Sequence, residues 1–378
     1  MAKATRSVMG NTTLRFSDEQ AMLMDVAREF CRNRSPISVV REQLETDTGF
    51  DAALWEEMVA LGWAGVALPE SCGGSGLSIA ALVPVVEAMG RAMLGTPLVS
   101  SALAGQLLLR AGSSEQVERL LPPVAAGAPA SLALLENGDW GDERVTLALD
   151  DKRELRGVKK FVPDAGVASL FVVSVIYRGE LALVVVPAGD LAVGAVHANT
   201  LIDQTKRSAN VDFSGVCVAD ANIITGPQVK AALRDVQLLG ALLVAAEATG
   251  SAAACLDTVV EYLKTRKQFD RVIGEFQALQ HRAAHLYGEM EGARSIVLKA
   301  QSLMDEGHAK AELYVAAAKA KAGLACNLAV REGVQMHGGI GMTDEYDIGL
   351  YMKRDRSLNE FFGDAYFHAD RVATMNGY

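Results

Sequence analysis

Apolar residues along this chain change their period twice. Ser17-Asp18-Glu19-Gln20 reads as a capping box ahead of Leu23, Val26, Ala27 and Phe30, which recur at helical spacing. Helical patterning continues over 54–61 and 100–110. Between these lies the punctuated stretch Leu68-Pro69-Glu70-Ser71-Cys72-Gly73-Gly74-Ser75-Gly76, whose glycines permit positive φ and break any continuing helix. The pattern predicts an N-terminal helical domain over residues 1–125, ending near Pro122-Pro123. From about 131 to 225 the signal becomes short β-rich runs at 145–149, 170–175, 181–186 and 211–218, separated by turn residues. These predict a middle β-barrel or sandwich domain over 126–225. After Gly226-Pro227 the helical period returns, strongest at 275–295 and 309–337, and predicts a C-terminal four-helix bundle over 226–378. The expected class is α+β.

One stretch, 238–256, is nearly all apolar and long enough to raise the question of a membrane span, since about 20 apolar residues cross a bilayer. Two features argue against it. The stretch is rich in Ala and Gly, and it carries Glu247 at its centre, where insertion of an acidic group costs several kcal/mol. A helix buried all round in a bundle fits better. Half of the 378 residues are apolar and 22% are charged, enough for a sizeable core and more than one domain. The net charge of -10, with no Lys/Arg run, gives nucleic acid no electrostatic footprint. Five scattered cysteines with no Cys-x-x-Cys pair read as reduced, mostly core thiols, and the N-terminus lacks an apolar signal core, so the cytoplasm is the expected location. His337 and His368 have no second ligand at metal spacing, and a metal is not expected.

Two motifs carry chemistry. Arg266-Lys267-Gln268-Phe269 runs on into Ile273-Gly274-Glu275-Phe276-Gln277-Ala278-Leu279-Gln280-His281, and Gln335-Met336-His337-Gly338-Gly339-Ile340-Gly341 forms a glycine-rich turn. A pyrophosphate needs a planar cation and closely approaching backbone donors. Arg266 supplies the first, and Gly339 with Gly341 the second. Taken singly, the arginine reads as a surface charge at a helix end and the glycines as a helix-terminating turn. Together, and in this order, they resemble the R-x-x-F-G…F-Q-x-x-x-H and Q-x-x-G-G-x-G signatures of the acyl-CoA dehydrogenase family. Leu68-Pro69-Glu70 and Gly157-Val158-Lys159-Lys160-Phe161-Val162 add to the likeness, which covers essentially the whole chain.

That resemblance implies that Arg266, Phe269, Gln335, Gly338, Gly339 and Gly341 contact the FAD of a neighbouring subunit, in a homo- or hetero-tetramer. It further implies an acyl-CoA substrate and an electron-transfer flavoprotein as acceptor. Departures are also present. Family members present T-E-P-x-x-G-S-D and W-I-T or Y-I-S segments to the flavin, where this chain has Leu135-Glu136-Asn137-Gly138-Asp139 and Phe161-Val162-Pro163-Asp164-Ala165. A hydroxyl is missing at both, as in a divergent branch associated with steroid side-chain degradation in which two unlike subunits share a flavin site.

The resemblance also places the base in a Y-E-G turn near the C-terminus, or earlier in the central helix. This chain has Phe361-Phe362-Gly363-Asp364 at the first and Gly240 at the second. Glu247, Asp364 and Glu360 remain as carboxylates that could take an α-proton. Glu247 follows Gly240 by two turns, and desolvation among Val244, Ala245, Ala246 and Ala248 is expected to raise its pKa toward the range of a useful base. Equally, it reads as a buried glutamate paired to a neighbouring helix. Asp364 reads as a second candidate base or as the N-cap of a last helix through Ala365 to Val372, and Glu360 as a solvated side chain. The implied reaction is α,β-dehydrogenation of an acyl-CoA to the trans-2-enoyl-CoA. Its rival is a non-catalytic partner subunit that lends Arg266, Gln335 and Gly339 to a shared FAD, and an oxidase or monooxygenase on the same fold is a third possibility.

Overall fold

In the computed structural model, which describes residues 18–140 and 144–378, six helices come first. Asp51 caps α3 (Ala52–Ala60) by accepting from the Ala53 N–H. Ser113 and Gln116 form a reciprocal capping box at the start of α6 (Ser114–Ala125), which runs through Pro122 and Pro123 and stops within two residues of them. The predicted capping box at Ser17 lies outside the described residues; the helix behind it is α1 (Asp18–Arg34). Two more N-terminal helices matter for the site, α4 (Leu82–Arg91) and α5 (Leu98–Ala111).

The middle region is two open sheets. A mixed six-stranded sheet is built on the hairpin of β5 (Leu170–Tyr177) and β6 (Glu180–Pro187), with β1 (Ala130–Ala133) parallel to β5. A three-stranded antiparallel sheet contains β4 (Val158–Pro163) and β8 (Ser208–Asp212). Phe171, Val173, Val184 and Val186 of the first sheet pack with Val162, Ala209 and Val211 of the second and with Phe213 just beyond it. Neither sheet closes on itself, so the region is sandwich-like and not a barrel.

Two strands differ from the sequence pattern. Of 145–149 only Ala148–Leu149 pairs as a strand, because the Glu136 carboxylate takes the backbone N–H groups of Thr146 and Leu147, each at 3.0 Å. Of 211–218 only the start is strand, because Asp212 turns the chain by accepting from the Ser214 N–H at 2.9 Å.

The C-terminal region is organised by α7 (Gln228–Thr265), α8 (Gln277–Asp305) and α9 (Ala311–His337), with α10 (Ile348–Glu360) and α11 (Ala365–Met375) packed on α9. Two helical stretches, 228–265 and 311–342, are long and apolar enough to cross a membrane, but the apolar window of the first is 89% buried within the fold. The reason α7 is Ala/Gly-rich lies in its crossing with α4. A Cβ at Gly90 would strike the Glu247 backbone, and one at Gly250 would strike the Glu87 carbonyl. The two helices therefore touch main chain to main chain, and Glu247 sits at that crossing.

Candidate functional site

The two glycine- and arginine-bearing motifs meet at one end of the C-terminal helices. Helix α7 gives way to a hairpin of β10 (Lys267–Gln268) and β11 (Arg271–Val272) whose two turn residues, Phe269 and Asp270, have φ of 54° and 63°. Positive φ at both central positions is the type I′ arrangement that Asn-Gly usually supplies. Here it holds the Phe269 ring 85% exposed, next to the exposed Arg266. At the end of α9, Gly338 adopts φ 65° and ψ -143°, a combination essentially confined to glycine. The backbone at Gly339 is open, with no atom within 4 Å of where a Cβ would stand. Gly341 is different: it is buried against the Val334 carbonyl, so its part is to fold the turn and not to face a ligand.

Packing locks the two motifs together. Met336 joins Val259, Leu263 and Ile273 in a small core, and the Tyr262 and His337 rings lie 4.4 Å apart. Arg266, Phe269, Gln335, Gly338 and Gly339 are thus exposed on segments that pack together, a guanidinium and open backbone being the donor types a phosphate takes. Those residues fit a pyrophosphate-bearing cofactor.

A cleft lies between α5, the turn after β4, and α7. Its lining includes Val99, Leu103, Trp140, Val244, Phe361 and Phe362, and also Glu247. Only 3% exposed, Glu247 is held from two sides. Arg354 Nη1 donates to its Oε1 at 2.5 Å, and Lys206 Nζ lies 2.9 Å from Oε1 and 3.1 Å from Oε2. Arg354, itself fully buried, also donates through Nε to Asp203 Oδ2 at 2.8 Å. Two carboxylates and two cations therefore form a closed group. Burial pushes the Glu247 carboxyl up, but Lys206 and Arg354 outweigh it and hold it below its ordinary value. The rise expected from its apolar helix neighbours is reversed, because Lys206 and Arg354 reach it from segments distant in sequence.

The turn after α10 faces the same cleft. Lys319 Nζ, buried on α9, donates to the carbonyls of Leu358 (2.8 Å), Asn359 (3.2 Å) and Gly363 (2.8 Å), and desolvation brings its pKa down to about 8. His368 Nε2 donates to the Phe362 carbonyl at 2.7 Å. So clamped, Phe362 takes φ 58° and lays its ring on Gly240, where any Cβ would collide with it. Trp140 stacks over Phe362 at 4.4 Å and over Phe361 at 5.6 Å. Asp364 caps α11, its Oδ1 accepting from the Phe367 N–H at 2.7 Å. Glu360 is exposed.

Two family models match the chain: Acyl-CoA dehydrogenase, N-terminal domain, over residues 17–128, and Acyl-CoA dehydrogenase, C-terminal domain, over 237–375. The chain is 32% identical over 350 residues to the acyl-CoA dehydrogenase IpdE2 of Mycobacterium tuberculosis, covering 89% of this chain and 91% of that protein. This chain belongs to the acyl-CoA dehydrogenase family. Its backbone is similar to a chain of the ChsE4-ChsE5 complex from Mycobacterium tuberculosis, with a TM-score of 0.86 at 25% identity over 97% of this chain and 100% of that one. A chain of the Tcur3481-Tcur3483 steroid ACAD (G363A variant) is also similar, with a TM-score of 0.83 at 28% identity over 96% of this chain and 98% of that one.

The middle region holds the two segments that depart from the family pattern. Glu136 is consumed internally, accepting from Lys159 Nζ at 2.7 Å as well as from Thr146 and Leu147. Pro163 has no N–H, and its carbonyl accepts from Ser131 Oγ at 2.6 Å. Neither segment offers a side-chain hydroxyl. Sequence reasoning missed Arg354, Lys206 and Asp203. Arg354 sits in the polar-looking run Lys353-Arg354-Asp355-Arg356, which reads as a solvated helix face, and only tertiary packing buries it against residues some 150 positions away. It also missed Asp164, whose carboxyl lines the cleft and is pushed up to about 6 by burial, against the hydrogen bond from Ser100 and the charge of Lys206.

Proposed function

We infer that this chain is the non-dehydrogenating partner in a hetero-oligomeric acyl-CoA dehydrogenase, lending one side of an FAD site to a catalytic homologue. The observation that carries this reading is the Phe362 ring packed on Gly240. Those are the two positions at which the family places its catalytic glutamate, and in this chain they fill each other with an aromatic contact. Glu247 is neutralised by Arg354 and Lys206, and Asp364 is engaged as a helix cap. A base must have a lone pair free toward the proton it takes. The cations that hold Glu247 make it a weaker base, and Asp364 turns its Oδ1 to the start of α11.

What the chain supplies is cofactor recognition across an interface. Arg266 gives two parallel N–H donors to a phosphate, and the Gly338-Gly339 turn gives backbone that nothing obstructs. Phe269, held out on its hairpin, covers apolar surface of the neighbour. FAD, when bound, supplies the hydride acceptance of the reaction, with an electron-transfer flavoprotein as the onward acceptor. Support for an unlike partner comes from ChsE4-ChsE5 and Tcur3481-Tcur3483, each a pair of different proteins.

The second reading is α,β-dehydrogenation in this chain's own cleft, with FAD bound there and Glu247 as base. In its favour, Glu247 does line the cleft. The two readings part in an anaerobic titration with acyl-CoA thioesters. The partner reading expects no bleaching of flavin absorbance by the chain alone, and bleaching by its complex with a catalytic homologue. Bleaching by the isolated chain supports dehydrogenation in its own cleft and overturns the partner role.

A further inference from the structure

One face of α7 carries a stripe of side chains that runs past two separate cavities. Lys230, Leu233, Arg234 and Gln237 stand at i, i+3, i+4 and i+7, and Val244 and Glu247 continue the same face at i+14 and i+17. The first four line a cavity between α7 and the sheet of β1, β5 and β6, and the last two line the cleft beside α5. At 1.5 Å per residue the stripe extends for about 25 Å, long enough to be the floor of a single trough. The position that would join its two halves, i+10, is Gly240, and there the Phe362 ring lies on the helix.

Trp140 completes the division. Among the described residues it alone lines both cavities. Its indole is stacked 4.4 Å from the Phe362 ring, with Phe361 at 5.6 Å on the same side. Gly240 backbone, Phe362 ring and Trp140 indole therefore form a wall across the trough at the gap in the stripe. The wall is fixed from both sides. Lys319 and His368 tie the carbonyls around Phe362 to α9 and α11. Ahead of Trp140, Asn137 Oδ1 accepts from the Asp139 N–H at 2.8 Å, a local turn that brings the chain round to the indole.

The two halves suit opposite ends of one molecule. The outer half carries Lys230 and Arg234, the latter paired with Glu312, and the inner half is apolar around Val99, Leu103 and Leu132. A ligand with an anionic head and an apolar tail needs both halves at once, and the aromatic wall stands between them. We propose that Trp140, seated on Phe362, is a built-in plug that splits the trough and denies this chain an extended acyl thioester. The proposal deepens the partner reading and rests on it, since it names the contact that keeps the chain's own cleft out of use.

Calorimetry on the full chain purified alone tests the plug, with coenzyme A and octanoyl-CoA as probes. Wild type is expected to take the two equally or to take neither, because the octanoyl tail cannot pass the indole. Trp140→Ala is expected to bind octanoyl-CoA at least about tenfold more tightly than coenzyme A, a ratio that roughly two buried methylenes supply. Trp140→Phe keeps a flat ring on Phe362 and is expected to behave as wild type. Trp140 is only half-buried, so its loss spares the core; Phe362→Ala, which removes the seat, stands in if Trp140→Ala does not fold. An octanoyl preference in wild type, or none in the opened variant, overturns the plug. Flavin absorbance separates this outcome from the partner role: bleaching by the wild-type chain ends both, and a wild-type octanoyl preference without bleaching ends the plug alone.

Discussion

Replacing Glu247 by glutamine separates the two roles open to this side chain. The substitution keeps the shape and removes the charge. In the structure that charge is one of two negatives, with Asp203, balanced by Arg354 and Lys206, and three of the four side chains are almost completely buried. Removing one partner of a buried ion pair costs about 3–5 kcal/mol, because the remaining charge stays desolvated. Two features move the cost to the lower end: Arg354 keeps Asp203 at 2.8 Å, and the Lys206 side chain is 24% exposed and can turn to water. A loss of about 3 kcal/mol with an m-value near 3 kcal/mol/M lowers the urea midpoint by roughly 1 M. The pH dependence has a defined sign. The folded carboxyl is held below its ordinary value, so its contribution is complete above the unfolded pKa of about 4.3 and fades as pH falls through the folded value. The gap between wild type and Glu247→Gln should therefore be widest near neutrality and close in acid. Turnover of the reconstituted complex, per folded molecule, should stay within about threefold of wild type. An unchanged urea midpoint together with a drop in turnover of about a thousandfold or more would refute the reasoning and make Glu247 the base.

Three further outcomes follow from particular contacts. Gly240→Ala places a methyl against the Phe362 ring and should destabilise by about 1–3 kcal/mol, with much of the loss recovered in the Gly240→Ala/Phe362→Ala double variant on chemical denaturation. Asp164→Asn should stabilise the protein by up to about 3 kcal/mol at pH 8, since a carboxyl raised from 3.8 to about 6 penalises folding above that value. That gain should vanish below about pH 4 in a urea titration across pH. Arg266→Ala, at an exposed position, should leave the stability of the isolated chain within about 0.5 kcal/mol, while weakening flavin retention by the complex about tenfold in an equilibrium dialysis assay.

How much of this was legible in the sequence depends on range. The long periodic helices and the β5–β6 hairpin are encoded locally, and they stand close to where the pattern puts them. The Arg266 and Gln335–Gly341 motifs were legible as contiguous runs, and packing brings both to one end of the bundle. Gly240 and Phe362 were recognisable as missing carboxylates, but not as contacting each other, since 122 positions separate them. The environment of Glu247 was misjudged for the same reason: its neighbours along α7 are alanines, while its partners come from residues 206 and 354.

The central claim is that this chain lends half of a flavin site and does not carry a dehydrogenating site of its own. Its most direct test is the FAD content of the chain purified alone, set beside its complex with a catalytic homologue bearing either wild-type or Arg266→Ala forms of this chain. The account predicts a colourless isolated chain, a flavin-loaded complex, and marked loss of flavin from the Arg266→Ala complex. A stoichiometric FAD on the isolated chain, reduced on mixing with an acyl-CoA, would contradict it.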